Sequence, residues 1–280
     1  MGNFTLKSIF FFIIVYKMEV DQTLLVLTSD GKSDSSDFRT GLNVPFRVDG
    51  DEYFEIAVDK VSLWYSWYNI SAKRGNNKFV YNNGVEDVTI TIDDGNYSIG
   101  GLNAFIHSRM KANGDYNSAS TPESYYITIV PNINTNRVYA EVVGGYTMKF
   151  TDGTLYKLMG WNEDDEITAS GDAPNIADFL NGLSSVLIRC DIVDGYASVL
   201  DGVASDVITS FFPQSAPSSH IEIIPRNLLF LRVNQTYVSS IRMYITDQKG
   251  DPIDFNGEPI TYFLRLRRSR PGLSAEPNYY

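Results

Sequence analysis

The feature that most constrains this chain is a pair of period-two segments near its C-terminus. Ile241, Met243 and Ile245 alternate with Arg242, Tyr244 and Thr246, and Ile260, Tyr262, Leu264 and Leu266 alternate with Thr261, Phe263, Arg265 and Arg267. Successive side chains of a strand point to opposite faces, so each segment offers one apolar face to a core and one polar face to solvent. Between them Asp247, Asp251, Asp254 and Glu258 are spaced like a calcium loop. Lys249 stands where that loop needs an oxygen ligand and Pro252 where it needs glycine, so a plain hairpin loop is expected.

The same texture runs through the chain. Apolar or alternating runs at 22–28, 53–67, 85–92, 125–130, 137–143, 147–150, 185–193, 207–211, 221–224 and 228–233 are separated by Gly, Asn, Asp and Pro clusters. With 280 residues, 43% hydrophobic content, 18 Tyr and 16 Phe, the chain has the means to bury a large core rich in strand-forming side chains. The expected fold is an all-β sandwich with additional hairpins and one or two short helices. Ser98 is placed to cap the first helix, with Ile99, Leu102, Ile106 and Met110 on one face and Asn113-Gly114 at its end. A second turn over 154–160, capped by Asp152 or Thr154, is packed by Leu155, Leu158 and Trp161. Both helices are expected to plug a sandwich edge.

Ile9–Tyr16 is an eight-residue apolar run between Lys7 and Lys17, too short to span a membrane and without a small-residue cleavage site after it. Residues 1–17 are treated as an extension, Met18 being the expected natural start and a buried arm the other account. One cysteine, Cys190, excludes an intramolecular disulfide, and its alternation with Val186, Ile188 and Ile192 makes it a small core residue. Four Asn-x-Ser/Thr sequons start at Asn3, Asn69, Asn96 and Asn234 and matter only in a secreted protein; synthesis is read as intracellular. A net charge of −11 argues against a nucleic-acid binder.

Catalytic chemistry finds little support. The two histidines, His107 and His220, are expected to be solvated or capping, on the polar side of the first helix and beside a Ser-rich loop. The acidic groups 163–166 and 93–94 read as solvated loops, and no phosphate-binding glycine loop is present. No catalytic residue, metal or cofactor is assigned. The features suited to contact are Trp64, Trp67 and Tyr68, within Leu63-Trp-Tyr-Ser-Trp-Tyr68, and Arg265, Arg267, Arg268 and Arg270. If alternation holds, Trp64 and Tyr68 share one face and Tyr65 and Trp67 the other.

Taken in order, Ile90-Thr-Ile-Asp-Asp-Gly-Asn-Tyr-Ser98, Tyr146-Thr-Met-Lys-Phe150 leading to 155–161, Val186-Leu-Ile-Arg-Cys-Asp191 and Ile245-Thr-Asp-Gln-Lys-Gly-Asp-Pro-Ile-Asp254 resemble the penton, or minor capsid, proteins of Polinton-type elements, adintoviruses and virophage-like double-stranded DNA viruses. The resemblance covers about residues 50 to 268. It implies a jelly-roll sandwich over 18–268 with insertions, followed by a polar tail at 269–280, and a non-enzymatic virion protein assembled inside the host cell. It further implies a homopentamer at the icosahedral fivefold vertices that contacts the major capsid protein. A host receptor or glycan is the further expected partner, with no specific nucleic-acid binding and no membrane span. The rival expectation is a carbohydrate- or receptor-binding sandwich module, and a cation-dependent hydrolase ranks last.

Overall fold

A computed structural model describes residues 22–179, 183 and 185–271. Eight strands make two packed sheets: β1 (Gln22–Thr28), β2 (Asp37–Arg47), β3 (Tyr53–Trp64), β4 (Val186–Cys190), β5 (Val207–Phe211), β6 (His220–Ile223), β7 (Tyr237–Asp247) and β8 (Thr261–Ser269). The first sheet has the order β1-β8-β3-β6 and the second β5-β4-β7-β2, every pairing antiparallel. Each connection along the chain therefore crosses from one sheet to the other, apart from the β4–β5 link, which stays within the second. Within each sheet strands distant in sequence are neighbours: first with eighth, second with seventh, third with sixth. That nested order is the jelly roll.

The inner faces meet in one core. Phe54, Ile56, Val61 and Leu63 of β3, Ile188 and Cys190 of β4, Ile241, Met243 and Ile245 of β7, and Tyr262, Leu264 and Leu266 of β8 are all buried. Alternation therefore identified the buried face of β7 and β8 correctly, but not their relation. The expected hairpin between them is corrected: β7 lies in the second sheet and β8 in the first, so residues 248–260 bridge the sheets. Cys190 is buried as expected, and burial pushes its thiol up to about 12.

Because strand direction alternates, the β1–β2, β3–β4, β5–β6 and β7–β8 connections gather at one end of the sandwich. The β2–β3, β4–β5 and β6–β7 connections, the start of β1 and the end of β8 gather at the other. Backbone bonds agree with this sorting. Tyr65 exchanges hydrogen bonds with Ser218 and Ser219 at the first end, and Asp194 and Asn234 bond to Arg232 and Ile192 at the second.

Between β3 and β4 the chain builds a second unit with its own core, which includes Phe79, Tyr81, Ile92, Leu102, Ile106, Met148, Leu158 and Trp161. One sheet of this insert runs Glu166–Ile167, Thr147–Lys149, Lys78–Asn82, Asp87–Thr91, and the other Gly171–Asp172, Arg137–Val142, Ile127–Asn132. Helix α1 (Ile99–Asn113) buries Leu102, Ile106 and Met110 there, with Ser98 Oγ accepting the Gly101 N–H at 3.1 Å and Gly114 closing it at φ +83°. Helix α2 (Leu155–Met159) belongs to the same unit. The helices thus complete the insert rather than plug a sandwich edge. The expected α2 cap is also absent: Thr154 makes no side-chain capping bond, and Asp152 pairs with Lys78 at 2.6 Å. Gly160, at φ +84°, ends α2 where an added Cβ would lie 2.5 Å from the Asn175 carbonyl oxygen.

Asn69 ties the insert's two ends together. Its side chain accepts the Tyr97 N–H at 2.9 Å and donates to the Tyr97 and Phe179 carbonyls at 2.8 and 3.1 Å. Asn96 likewise donates to the Trp67 carbonyl at 3.1 Å. Both sequon amides therefore serve the fold.

A second polar node lies deeper in the insert. Asp115 accepts the Tyr81 hydroxyl at 2.6 Å and the Tyr146 hydroxyl at 2.9 Å, and burial raises both phenols above their ordinary range. Removing the carboxylate strands the fully buried Tyr81 hydroxyl without its acceptor. Asp115→Ala is expected to cost about 2–3 kcal/mol in urea unfolding, and a loss under about 0.5 kcal/mol would remove the node from the account of stability.

Candidate interaction surface

The outer face of the first sheet carries Trp64, Arg265 and Arg267 of the residues singled out from the sequence. Register sets Leu24 opposite Arg265 and Val26 opposite Phe263, all pointing away from the core. Leu24 and Val26 are 46% and 54% exposed, and the half-buried Phe263 continues their stripe. β1 is an edge strand, paired on one side by β8. Apolar side chains beside an open strand edge are what a soluble monomer ordinarily avoids.

Arg265 and Arg267 lie beside that stripe, and the arginines with defined partners are matched by acids of the same sheet or of the turn before it. Arg265 pairs with Asp59 at 3.3 Å, Arg267 with Glu55 at 2.7 Å, and Arg270 Nε with Glu52 at 2.8 Å. Glu55 also accepts the Ser269 hydroxyl, and the Arg267 guanidinium lies 3.7 Å from the Phe230 ring centroid. Ser269, Arg270 and Pro271 of the tail are described; the rest of the tail and the N-terminal run lie outside the described residues. The face is therefore a field of matched charges flanked by apolar side chains, not a basic strip.

The aromatic cluster divides. β3 ends at Trp64, which is 44% exposed and meets His220 edge-on at 5.3 Å. His220 Nε2 lies 2.9 Å from Ser62 Oγ, which fixes the imidazole against the sheet. Trp67 is corrected from an interface residue to a core residue: it is 3% exposed, stacked on Tyr65 at 4.0 Å and edge-on to Phe255 at 5.4 Å. Tyr68 is half-buried at the junction of sandwich and insert.

That junction is a cleft of about 490 Å³ whose walls include Tyr68, Lys73, Arg74, Lys157, Asp247 and Asp254. Lys73 of the insert pairs with Asp254 of the β7–β8 connection at 2.8 Å, and this bond holds the Asp254 carboxyl below the usual carboxylate range. Asp247 accepts the Lys249 and Asp251 N–H groups, so it folds its own loop. Among the described residues no three His, Cys, Asp or Glu side chains converge as a metal site, and no helix is long and apolar enough to cross a membrane.

His107 is corrected from a solvated residue to a packed one. Its ring stacks on Tyr125 at 3.8 Å, and Nε2 donates to the Ile127 carbonyl at 3.0 Å. Burial depresses its pKa from the ordinary 6.5, the carbonyl bond opposing the shift. The unfolded chain then takes up the proton before the folded one. Stability is full above pH 6.5, falls as the pH drops below it, and levels off under the folded value. Chemical denaturation at pH 7.5 and 5.0 should show this step in the parent protein and a smaller one in His107→Gln. Equal pH dependence in both would remove His107 as its source.

No family model matches the chain, and no curated protein matches it. Among solved structures it is similar to the crystal structure of selenomethionine-labelled mavirus penton protein, at 9% identity and a TM-score of 0.49, over 89% of this chain and 100% of that one. At that level of likeness the fold rests on the strand order itself.

Proposed function

We propose that this chain is a structural capsid protein, a penton or minor capsid subunit that forms a closed pentamer at the fivefold vertices of an icosahedral shell and contacts the major capsid protein there. The observation that carries the reading is the strand order β1-β8-β3-β6 against β5-β4-β7-β2, a jelly roll with all its odd-numbered connections, the large insert included, at the end opposite the start of β1 and the end of β8. Jelly rolls serve capsids, lectins and cupins alike, so fold alone does not choose among them. The four sequence segments that resemble penton proteins favour the capsid: two build the core of the insert, one is β4, and one runs from β7 into the connection to β8.

The assembly mechanism is geometric. A ring needs two different patches on each copy, one meeting the other on the next. The β1 edge, with Leu24, Val26 and Phe263, supplies one such patch, and Arg265 and Arg267, on the same face, form its polar border. The matched acid pairs around that border leave the charges oriented while the apolar stripe supplies the driving force. Such an interface should bury on the order of 1,600 Å² in total to hold without a partner.

Light scattering on the purified protein should give about five times the chain mass, across a range of salt concentrations. Val26→Glu should shift the mass to that of a monomer and, at an exposed position, alter unfolding stability by no more than about 0.5 kcal/mol. A monomer in every condition, with or without the major capsid protein, would defeat the pentamer.

A further inference from the structure

A cavity of about 470 Å³ opens beside Trp64, where the β3 exit, the β5–β6 connection, the β7–β8 connection and the insert meet; its walls include Trp64, Ser66, Tyr68, Ser218, Asn256 and Glu258. We propose that it binds a neutral pyranose saccharide, with Trp64 as the stacking surface and Glu258, Asn256 and Ser218 as partners for ring hydroxyls. The inference does not depend on the capsid reading.

The volume lies within the usual 300–1,000 Å³ of small-molecule sites. Three of its lining residues, Trp64, Tyr65 and Tyr68, are aromatic. The exposed area of Trp64 is fixed in place by the edge contact with His220, itself held by Ser62, so little ordering remains to be done on binding. An indole face accepts the C–H side of a sugar ring, and the hydroxyls then need polar groups at its rim. Glu258 supplies a carboxylate that has no hydrogen bond or ion pair with the described residues. Asn256 commits its amide nitrogen to the Ser66 carbonyl, which leaves its amide oxygen directed by that bond and open as an acceptor.

The backbone at this cavity is held in uncommon conformations. Ser218 and Asn256 have φ values of 64° and 54°, the left-handed region that residues other than glycine seldom adopt. Ser218 is kept there by its N–H donating to the Tyr65 carbonyl at 2.8 Å, and Asn256 by its bond to Ser66. Both restraints come from residues 65 and 66, directly after the Trp64 platform. The two polar loops are thus registered to the aromatic surface by the chain segment that carries it, as a preorganised site requires.

Charge selects the class of sugar. The Glu258 carboxylate, without a partner among the described residues, and the chain's −11 net charge repel sialylated or sulfated glycans, while a carboxylate accepts well from neutral hydroxyls.

The test is saturation-transfer NMR on the full chain with cellobiose, maltose, lactose and 3′-sialyllactose to about 20 mM, enough to fill most of a site with a Kd on the order of 1 mM. At least one neutral disaccharide should receive saturation and shift the tryptophan emission, because Trp67 and Trp161 are buried and Trp64 is the exposed indole. Trp64→Ala should abolish the transfer. Glu258→Ala, on an exposed loop, should weaken it about fivefold, as one lost hydrogen bond does, and it serves as the second variant should Trp64→Ala not fold. No response to any of these neutral sugars, transfer that survives both substitutions, or binding of 3′-sialyllactose alone would overturn the proposal.

Discussion

The placement of β8 between β1 and β3 is the constraint on which the rest of the structure depends. Until the last strand arrives, the first sheet has no centre, because β1 has no other partner within it and β3 has only β6 and the short Leu231–Arg232 segment. β8 brings Tyr262, Leu264 and Leu266 into the core and sets Leu24 and Val26 outward through its register with β1. Its pairing partners lie about two hundred residues or more away along the chain, so closing the sandwich carries a high loop-closure cost. Sorting of the connections to the two ends follows from the same nested order.

Electrostatics is arranged on the frame that β8 provides. Arg265 and Arg267 face acids of β3 across a short inter-strand gap, and further along Asp37 accepts both arms of Arg242 across the β2–β7 pair. That last pair holds the Asp37 carboxyl below its ordinary range through the arginine bond. In a chain of net charge −11, these arginines sit where the ladders already bring acids opposite them.

Face was legible in the sequence and partnership was not. Period-two alternation marked β1, β5, β7 and β8, and spacing with Ser98 and Gly114 marked α1, because these signals are local. β2 left no such mark: it is an edge strand with Gly41, Asn43 and Pro45, and much of it faces solvent. Lys78–Asn82 was missed as well, a short run buried at Phe79, Val80 and Tyr81, where neighbouring positions on both faces are covered and alternation disappears. Nothing local could show that β7 and β8 enter different sheets. Alternation separated Trp64 from the Tyr65–Trp67 pair but could not say which face was inner, so both tryptophans stood as contact candidates; the structure buries Tyr65 and Trp67 and leaves Trp64 exposed. The cavity beside Trp64 was half legible: the aromatics stand close in sequence, but Ser218, Asn256 and Glu258 reach it from two other connections.

The Asn69 clamp bears on how such a chain can change over time. Because one side chain bonds to Tyr97 and Phe179, the insert leaves and re-enters the sandwich at nearly one place, and its interior is invisible to the eight strands. Doubling the length of a loop anchored at two neighbouring points costs only about 0.6 kcal/mol in closure. The insert is therefore a cassette: a change in the length of its outer loops leaves the register of the sandwich beneath it untouched.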